Sequence, residues 1–380
     1  MNNKFIKTTA AIMAAVSVCA FAGCGNKEAA TTGNGSATEA TDKKDNKANT
    51  KAVAKVNDTE ITAEDFSYYV FVASQMKIRE LYPEFTGDMK TVDFKKKMED
   101  GKTLEESILE TAIQKAIDAI VLMEKGIANG FVWGEAEDKN ITDQVDSFLQ
   151  SGGEAQFLEM AKSMGIKSVE SYKKLYRQSM ISEGVLKDIS ENKDKYIKDA
   201  EELKKHKSTK GATAQHVLIN KESTKTDNPE ALAKEVCEKA KKGEDFAALI
   251  TQYNEDPGAT PAGYTFGPGE MVKEFQDAAF ALDIDGISDV VKTDYGFHVI
   301  KRLLGGYEVL AKWTEECKIE KNDSAIKKTD VSGIVTEGIE AQKKIQAAQA
   351  QAQAAQQQVE SGAAQAGQPA AQPAAQPAGE

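Results

Sequence analysis

The sequence predicts an α+β fold, and three observations predict it. Leu104, Ile108, Ala112, Ile113, Ala116, Ile117, Ile120 and Val121 recur at three- and four-residue steps, the period of an amphipathic helix. Two short runs, residues 214–219 and 292–300, have instead the branched-aliphatic composition of buried strands, and each holds a histidine. Residues 52–205 carry helical patterns with a single short strand, so helices and strands do not alternate as they do in a parallel α/β chain.

Composition sets the bounds. With 380 residues the chain has room for two or three domains, and 41% apolar residues suffice for real cores. A net charge of -12, with no basic patch interleaved with aromatics, argues against a nucleic-acid surface. The basic run 204–210, with His206 in its midst, reads as a solvated hinge. Cys237 and Cys317 have neither C-x-x-C nor Cys/His spacing, so no metal site follows. Two free thiols are expected, with a disulfide as the alternative.

The first residues read as a targeting segment. Lys4 and Lys7 precede a mostly apolar stretch, residues 8–22, too short to span a bilayer. It ends in Phe21-Ala22-Gly23-Cys24, which resembles the lipobox of bacterial lipoproteins. The resemblance implies a signal peptide over 1–23 and a lipid on the Cys24 sulfur, anchoring the chain to the outer face of the cell membrane. An ordinary signal peptide with an incidental cysteine is the alternative. Residues 24–51, rich in Ala, Thr, Gly, Asn and Lys, read as a flexible tether.

Order begins with a short strand at 52–56, closed by the turn pair Asn57-Asp58. Thr62 with Asp65 predicts a helix over 63–82, and Thr103 with Glu106 opens the next, which Gly130 stops. Further helical patterns cover 137–150, 154–164 and 169–191, the last running on toward Lys205. Gly152-Gly153 and Gly165 punctuate them. After Gly305-Gly306 come an apolar stretch to Trp313, a mixed segment and a helical pattern from Val331. Residues 347–380 are Ala/Gln low complexity ending in Gln-Pro-Ala-Ala repeats, and are expected to form a disordered tail, with transient helix in its Ala/Gln part as the alternative.

His216 and His298, two of only three histidines, sit within the strand-like runs. Burying an imidazole is unfavourable unless it is hydrogen-bonded, so two such residues need a reason. A pair of satisfied core histidines is the plain explanation. Between them lie Gly243-Glu244-Asp245-Phe246, then Tyr253-Asn254-Glu255-Asp256-Pro257-Gly258. Gly267-Pro268-Gly269-Glu270-Met271-Val272-Lys273-Glu274-Phe275 follows, ahead of Ala278-Ala279-Phe280-Ala281-Leu282. This order resembles the parvulin family of peptidyl-prolyl cis/trans isomerases, over about residues 211–305. Residues 52–205, opening on Val56-Asn57-Asp58-Thr59-Glu60-Ile61-Thr62, look like the N-terminal chaperone half of PrsA- and SurA-type foldases. A helical spacer without substrate contact is the alternative there.

The two resemblances together imply a parvulin domain at 206–306, a small antiparallel sheet with surrounding helices. Beside it would stand a helical domain made from 52–205, with 307–346 packing back on it. They also imply site residues. His216 and His298 match the family's paired histidines, and Thr293 is the hydroxyl link in their network. Asp256 falls where parvulins carry a cysteine or an aspartate near the twisting carbonyl, although Asp-Pro-Gly is also a common turn. Met271 and Phe275 match the proline pocket, with Phe266 completing its wall; ordinary core packing is the competing role. One departure stands out: many parvulins read Gly-Gly-Asp-Leu-Gly where this chain has Ala262-Gly263-Tyr264-Thr265 and a shorter run to Met271. No basic cluster precedes Asp256 to hold a phosphate, so unmodified substrates are implied.

Bond rotation at an X-Pro amide requires no nucleophile, metal or cofactor. The implied function is a lipid-anchored extracytoplasmic foldase that isomerises X-Pro bonds and shelters exported proteins as they fold. An inactive holdase that uses the parvulin domain only to bind peptides is the alternative. A transporter's substrate-binding lipoprotein would share the anchor, but it needs two α/β lobes. A homodimer is compatible with the sequence.

Overall fold

The computed structural model describes residues 52–366 except Pro261, with 355–366 described by their helical backbone alone. The expected signal segment, Cys24, the tether and residues 367–380 lie outside the described residues.

The chain opens on a hairpin of β1 (Ala54–Val56) and β2 (Thr59–Ile61), turned through Asn57 at φ 50°. Asn tolerates that left-handed geometry better than most side chains. Thr62 then caps α1 (Ala63–Leu81) by accepting the Asp65 N–H at 3.0 Å. Thr103 and Glu106 form a reciprocal capping box at the start of α2 (Leu104–Ala128). The apolar stripe of α2 faces inward, against α1 and α4 (Val169–Glu191). Between them α3 (Glu135–Lys162) runs through the glycine pair with one kink, at Gly153 (φ 76°), where the sequence suggests two helices.

Helix α4 ends at Glu191 and does not continue to Lys205. Asn192 breaks it, its amide turned back onto Asp188, and Asp199 caps a fresh start by accepting the Glu202 N–H. Such local side-chain bonds compete with helix continuation. Two short helices result, α5 (Lys193–Tyr196) and α6 (Ala200–Lys204). The basic run that follows is not a free hinge. Lys204 pairs with Glu201 and Asp285, Lys205 with Glu202, His206 with Glu315 and Lys207 with Asp283, so the segment is strapped to its surroundings.

The second unit holds β3 (Ala212–Asn220), α7 (Pro229–Lys241), α8 (Phe246–Tyr253), β4 (Tyr264–Phe266), α9 (Lys273–Ala281), β5 (Val291–Lys292) and β6 (Gly296–Leu303). Its four strands form an antiparallel sheet in the order β4-β3-β6-β5. Strand alternation gives the sheet two faces. Val217, Ile219 and Val299 pack on one side with α7 and α8. Ala212, Ala214 and Ile300 face the other way, with Phe266 and the α9 residues Phe275 and Ala279. In register His216 pairs with Ile300 and Leu218 with His298, so both histidines belong to this second face.

The rest of the chain is α10 (Gly306–Glu315), β7 (Ile319–Lys321), α11 (Asp323–Lys327) and α12 (Val331–Ala366). Val309, Leu310, Trp313, Val331 and Val335 enter the core built by α1, α2 and α4, and β7 pairs with β1. Segments before and after the sheet unit thus share one core. Helix α12 extends to Ala366 where disorder from 347 is expected. Ala and Gln favour helix, and a start already docked through Ile334, Val335 and Ile339 removes the nucleation cost. Residues 347–354 are exposed, as their composition requires. Cys237 and Cys317 are unpaired thiols. Among the described residues no helix is long and apolar enough to cross a membrane.

Candidate active site

The loop after α8 is laid along β3. Leu218 N–H donates to Asn254 Oδ1 at 2.8 Å, Glu255 N–H to the Leu218 carbonyl at 2.9 Å, and Asn220 N–H to Glu255 Oε2 at 2.7 Å. Asn254 and Glu255 therefore substitute for a neighbouring strand and satisfy backbone groups of β3 beyond its pairing with β4. The next residue, Asp256, is thereby set beside His216, its Oδ2 3.2 Å from His216 Nε2. The two groups are close but not aligned for a hydrogen bond, since Nε2 finds no hydrogen-bond partner. Oδ1 of the same carboxylate accepts the Gly258 N–H at 2.9 Å, and Oδ2 accepts the Tyr264 hydroxyl at 2.9 Å. Asp256 is thus both a turn former and a neighbour of the buried imidazole.

His216 and His298 are each 5% exposed, their ring centroids 5.3 Å apart. Phe275, on α9, meets both edge-on, at 5.3 and 5.4 Å. His298 Nε2 lies 2.8 Å from Thr293 Oγ1, which also accepts the Tyr295 N–H. The Thr293 hydroxyl proton is then free to donate to Nε2, which places the proton of a neutral His298 on Nδ1. Burial, reinforced by neighbouring His216, lowers the His298 pKa from 6.5 to about 4. Burial also lowers that of His216, against the opposing charge of Asp256. Both imidazoles are neutral at neutral pH.

Phe275 packs on Phe266 at 5.8 Å, and Phe266 stacks on Phe280 at 5.7 Å. Half-buried Met271 packs against the same cluster. Pairing of β4 with β3 sets Phe266 opposite Ala212 and Tyr264 opposite Ala214, so the shorter segment still delivers Phe266 to the histidine face. All seven predicted site residues in the described chain therefore converge on one side of the sheet. Asn254 and Tyr264 take part as well, although neither stands out in the sequence as a site residue. Asn254, one residue before the Asp-Pro-Gly turn, could have been suspected as its anchor; Tyr264 depends on strand register. Among the described residues no three His, Cys, Asp or Glu side chains gather in a metal-binding group.

Residues 198–303 match the model of the PPIC-type PPIase domain. The foldase protein PrsA of Geobacillus sp. (strain WCH70) is 33% identical over 211 residues, 54% of this chain and 70% of that protein. The foldase protein PrsA of Clostridium tetani (strain Massachusetts / E88) is 31% identical over 303 residues, 77% of this chain and 84% of the relative. A crystal structure of PrsA from Bacillus subtilis aligns over 66% of this chain and 93% of its own at 23% identity, with a TM-score of 0.22, too low to carry an argument. On the sequence relationships, the chain belongs to the PrsA foldase family and contains a parvulin-type PPIC domain.

Proposed function

We propose that the sheet domain catalyses cis/trans isomerisation of X-Pro bonds in exported, incompletely folded proteins, from a lipid anchor on Cys24 at the outer face of the cell membrane. One observation carries the catalytic reading: an apolar floor of Phe266, Met271 and Phe275 adjoins two buried neutral imidazoles and a carboxylate held by two donors. Amide resonance sets a barrier of ~18–20 kcal/mol, and a thousandfold acceleration needs only about 4 kcal/mol of differential stabilisation. Twisting the bond reduces its charge separation. An apolar pocket for the proline ring therefore disfavours the planar form, and a carboxylate near the carbonyl oxygen does the same, because that oxygen is most negative in the planar amide. In this reading Met271, Phe275 and Phe266 grip proline, and Asp256 faces the carbonyl. His216, His298 and Thr293 hold the network in shape. Ring nitrogens of both histidines without a hydrogen-bond partner support a site that receives a polar group.

Proline-limited refolding of a reduced, unfolded test protein, followed with and without this chain, tests the proposal. Catalytic amounts should accelerate the slow phase. A slow phase that stays unchanged while aggregation is suppressed would instead establish a holdase. For the anchor, Cys24→Ser should abolish labelling by radioactive palmitate; undiminished incorporation would remove Cys24 as the lipidated residue.

A further inference from the structure

Tyr264 touches two site residues at once, yet the mechanism above gives it no part. Its hydroxyl donates to Asp256 Oδ2 at 2.9 Å, and its ring stacks on His216 with centroids 5.7 Å apart and planes 20° from parallel. The backbone accommodates this placement. Gly263 turns at φ +78°, where a Cβ would lie 2.6 Å from the Ala214 carbonyl oxygen, and a Cβ on Gly258 would stand 2.9 Å from the Tyr264 hydroxyl. The phenol is half-buried. Burial and then the Asp256 hydrogen bond push its pKa up to about 12, so it remains a donor throughout the physiological range.

We propose that Tyr264 is a positioning residue of the isomerase site, its hydroxyl fixing the Asp256 carboxylate and its ring clamping the His216 imidazole. The inference rests on the isomerase reading. Two donors, Gly258 N–H on Oδ1 and the phenol on Oδ2, hold the carboxylate in one orientation. With Oδ2 engaged by the phenol, His216 Nε2 sits 3.2 Å away without an aligned bond to it. Removing the hydroxyl frees Oδ2 to accept from His216, which favours the protonated imidazole. The titratable groups that face His216 are Asp256 from the loop, Tyr264 from β4 and His298 from β6; α9 presents the uncharged Phe275.

Only three histidines occur in the chain, so 15N-histidine labelling of the whole protein gives a resolvable set of imidazole signals, with His206 as internal reference. In Tyr264→Phe the His216 titration midpoint should move to higher pH. The kcat/KM for a prolyl peptide should fall about tenfold, the size of a lost charge-assisted hydrogen bond. Tyr264→Leu, which also removes the ring, should fall further. In an Asp256→Asn background, Tyr264→Phe should move His216 no further. An unmoved His216 midpoint in folded Tyr264→Phe overturns the proposal, as does an unaltered kcat/KM. A wild-type protein without turnover overturns the isomerase reading instead; the titration needs no turnover and still decides whether Tyr264 positions the pair.

Discussion

Arg302, near the end of β6, and Glu308, in the first turn of α10, form a 2.7 Å ion pair with both side chains fully withdrawn from solvent. The pair sits at the seam between the sheet unit and the helical core. The Arg302 guanidinium also donates to the carbonyls of Ser208, Phe280 and Leu282, and Glu308 accepts the Gly305 N–H at the start of α10. Desolvating two charges is expensive, and only such additional hydrogen bonds make the arrangement tolerable.

Removing one partner should therefore be severe. Glu308→Gln or Arg302→Met is expected to destabilise the protein by about 3–5 kcal/mol, because each leaves a buried charge uncompensated. The double variant should lose less than the sum, since no lone charge remains. Urea unfolding of the three variants checks this. Strictly additive losses would mean that the pair acts only through its separate contacts with the backbone.

Gly338, on the docked part of α12, lies against Phe71; a Cβ there would come within 2.3 Å of the ring. Phe71 is buried in the helical core and has little room to give. Gly338→Ala should destabilise by about 1–3 kcal/mol through overpacking, despite the better helix propensity of alanine. Ala348→Gly, in the exposed part of the same helix, should leave the thermal midpoint unchanged while reducing helicity slightly. A lowered midpoint for Ala348→Gly would show that the distal helix is docked as well.

These features differ in how far the sequence discloses them. Thr62 and Thr103 mark helix starts because capping is a local interaction, readable from three or four residues. His216 and His298 stand out because a rare polar side chain in an apolar strand is conspicuous. The pairing of β7 with β1 is not legible, since three residues of mixed polarity carry no periodicity and the pairing joins residues 54–56 to the distant 319–321. Arg302 and Glu308 read as ordinary charges until the fold buries them. The partnership of Tyr264 with Asp256 was hidden for a related reason: it depends on a β3–β4 register that a shortened loop makes unpredictable. In each case what is missed is an interaction between segments brought together only by the fold.

The low pKa of His298 makes a signed prediction about stability. Its imidazole titrates near 6.5 when unfolded and at about 4 in the folded protein, so between these values the unfolded state binds more protons. Stability must then rise with pH across that window and fall as pH drops through it, by at most about 3 kcal/mol from this group. His216, shifted in the same direction, adds to the slope. His298→Gln lacks this titration. The stability of wild type relative to the variant, from urea midpoints, should thus shrink between about pH 7 and about pH 4.5. A pH-independent difference would show that the fold does not hold His298 neutral.

The pocket gives the sharpest separation of catalysis from packing. Phe275 is 4% exposed and contacts both histidines and Phe266, whereas Met271 is only half-buried. Phe275→Ala should cost about 3–5 kcal/mol of stability and Met271→Ala less, in proportion to the packing each loses. Both should abolish most isomerase activity under conditions where the proteins remain folded, since either opens the proline floor to water. Their effects on rate should not add, because the two side chains serve one cavity. Asp256→Ala is expected to behave differently. Its carboxylate is partly exposed and its partners, Gly258 N–H and the Tyr264 hydroxyl, can turn to water, so stability should change little while the rate falls. A prolyl-peptide assay alongside thermal unfolding decides the matter. Full activity in a folded Asp256→Ala protein would remove the carboxylate from the mechanism, and full activity in the folded Met271→Ala/Phe275→Ala variant would remove the pocket with it.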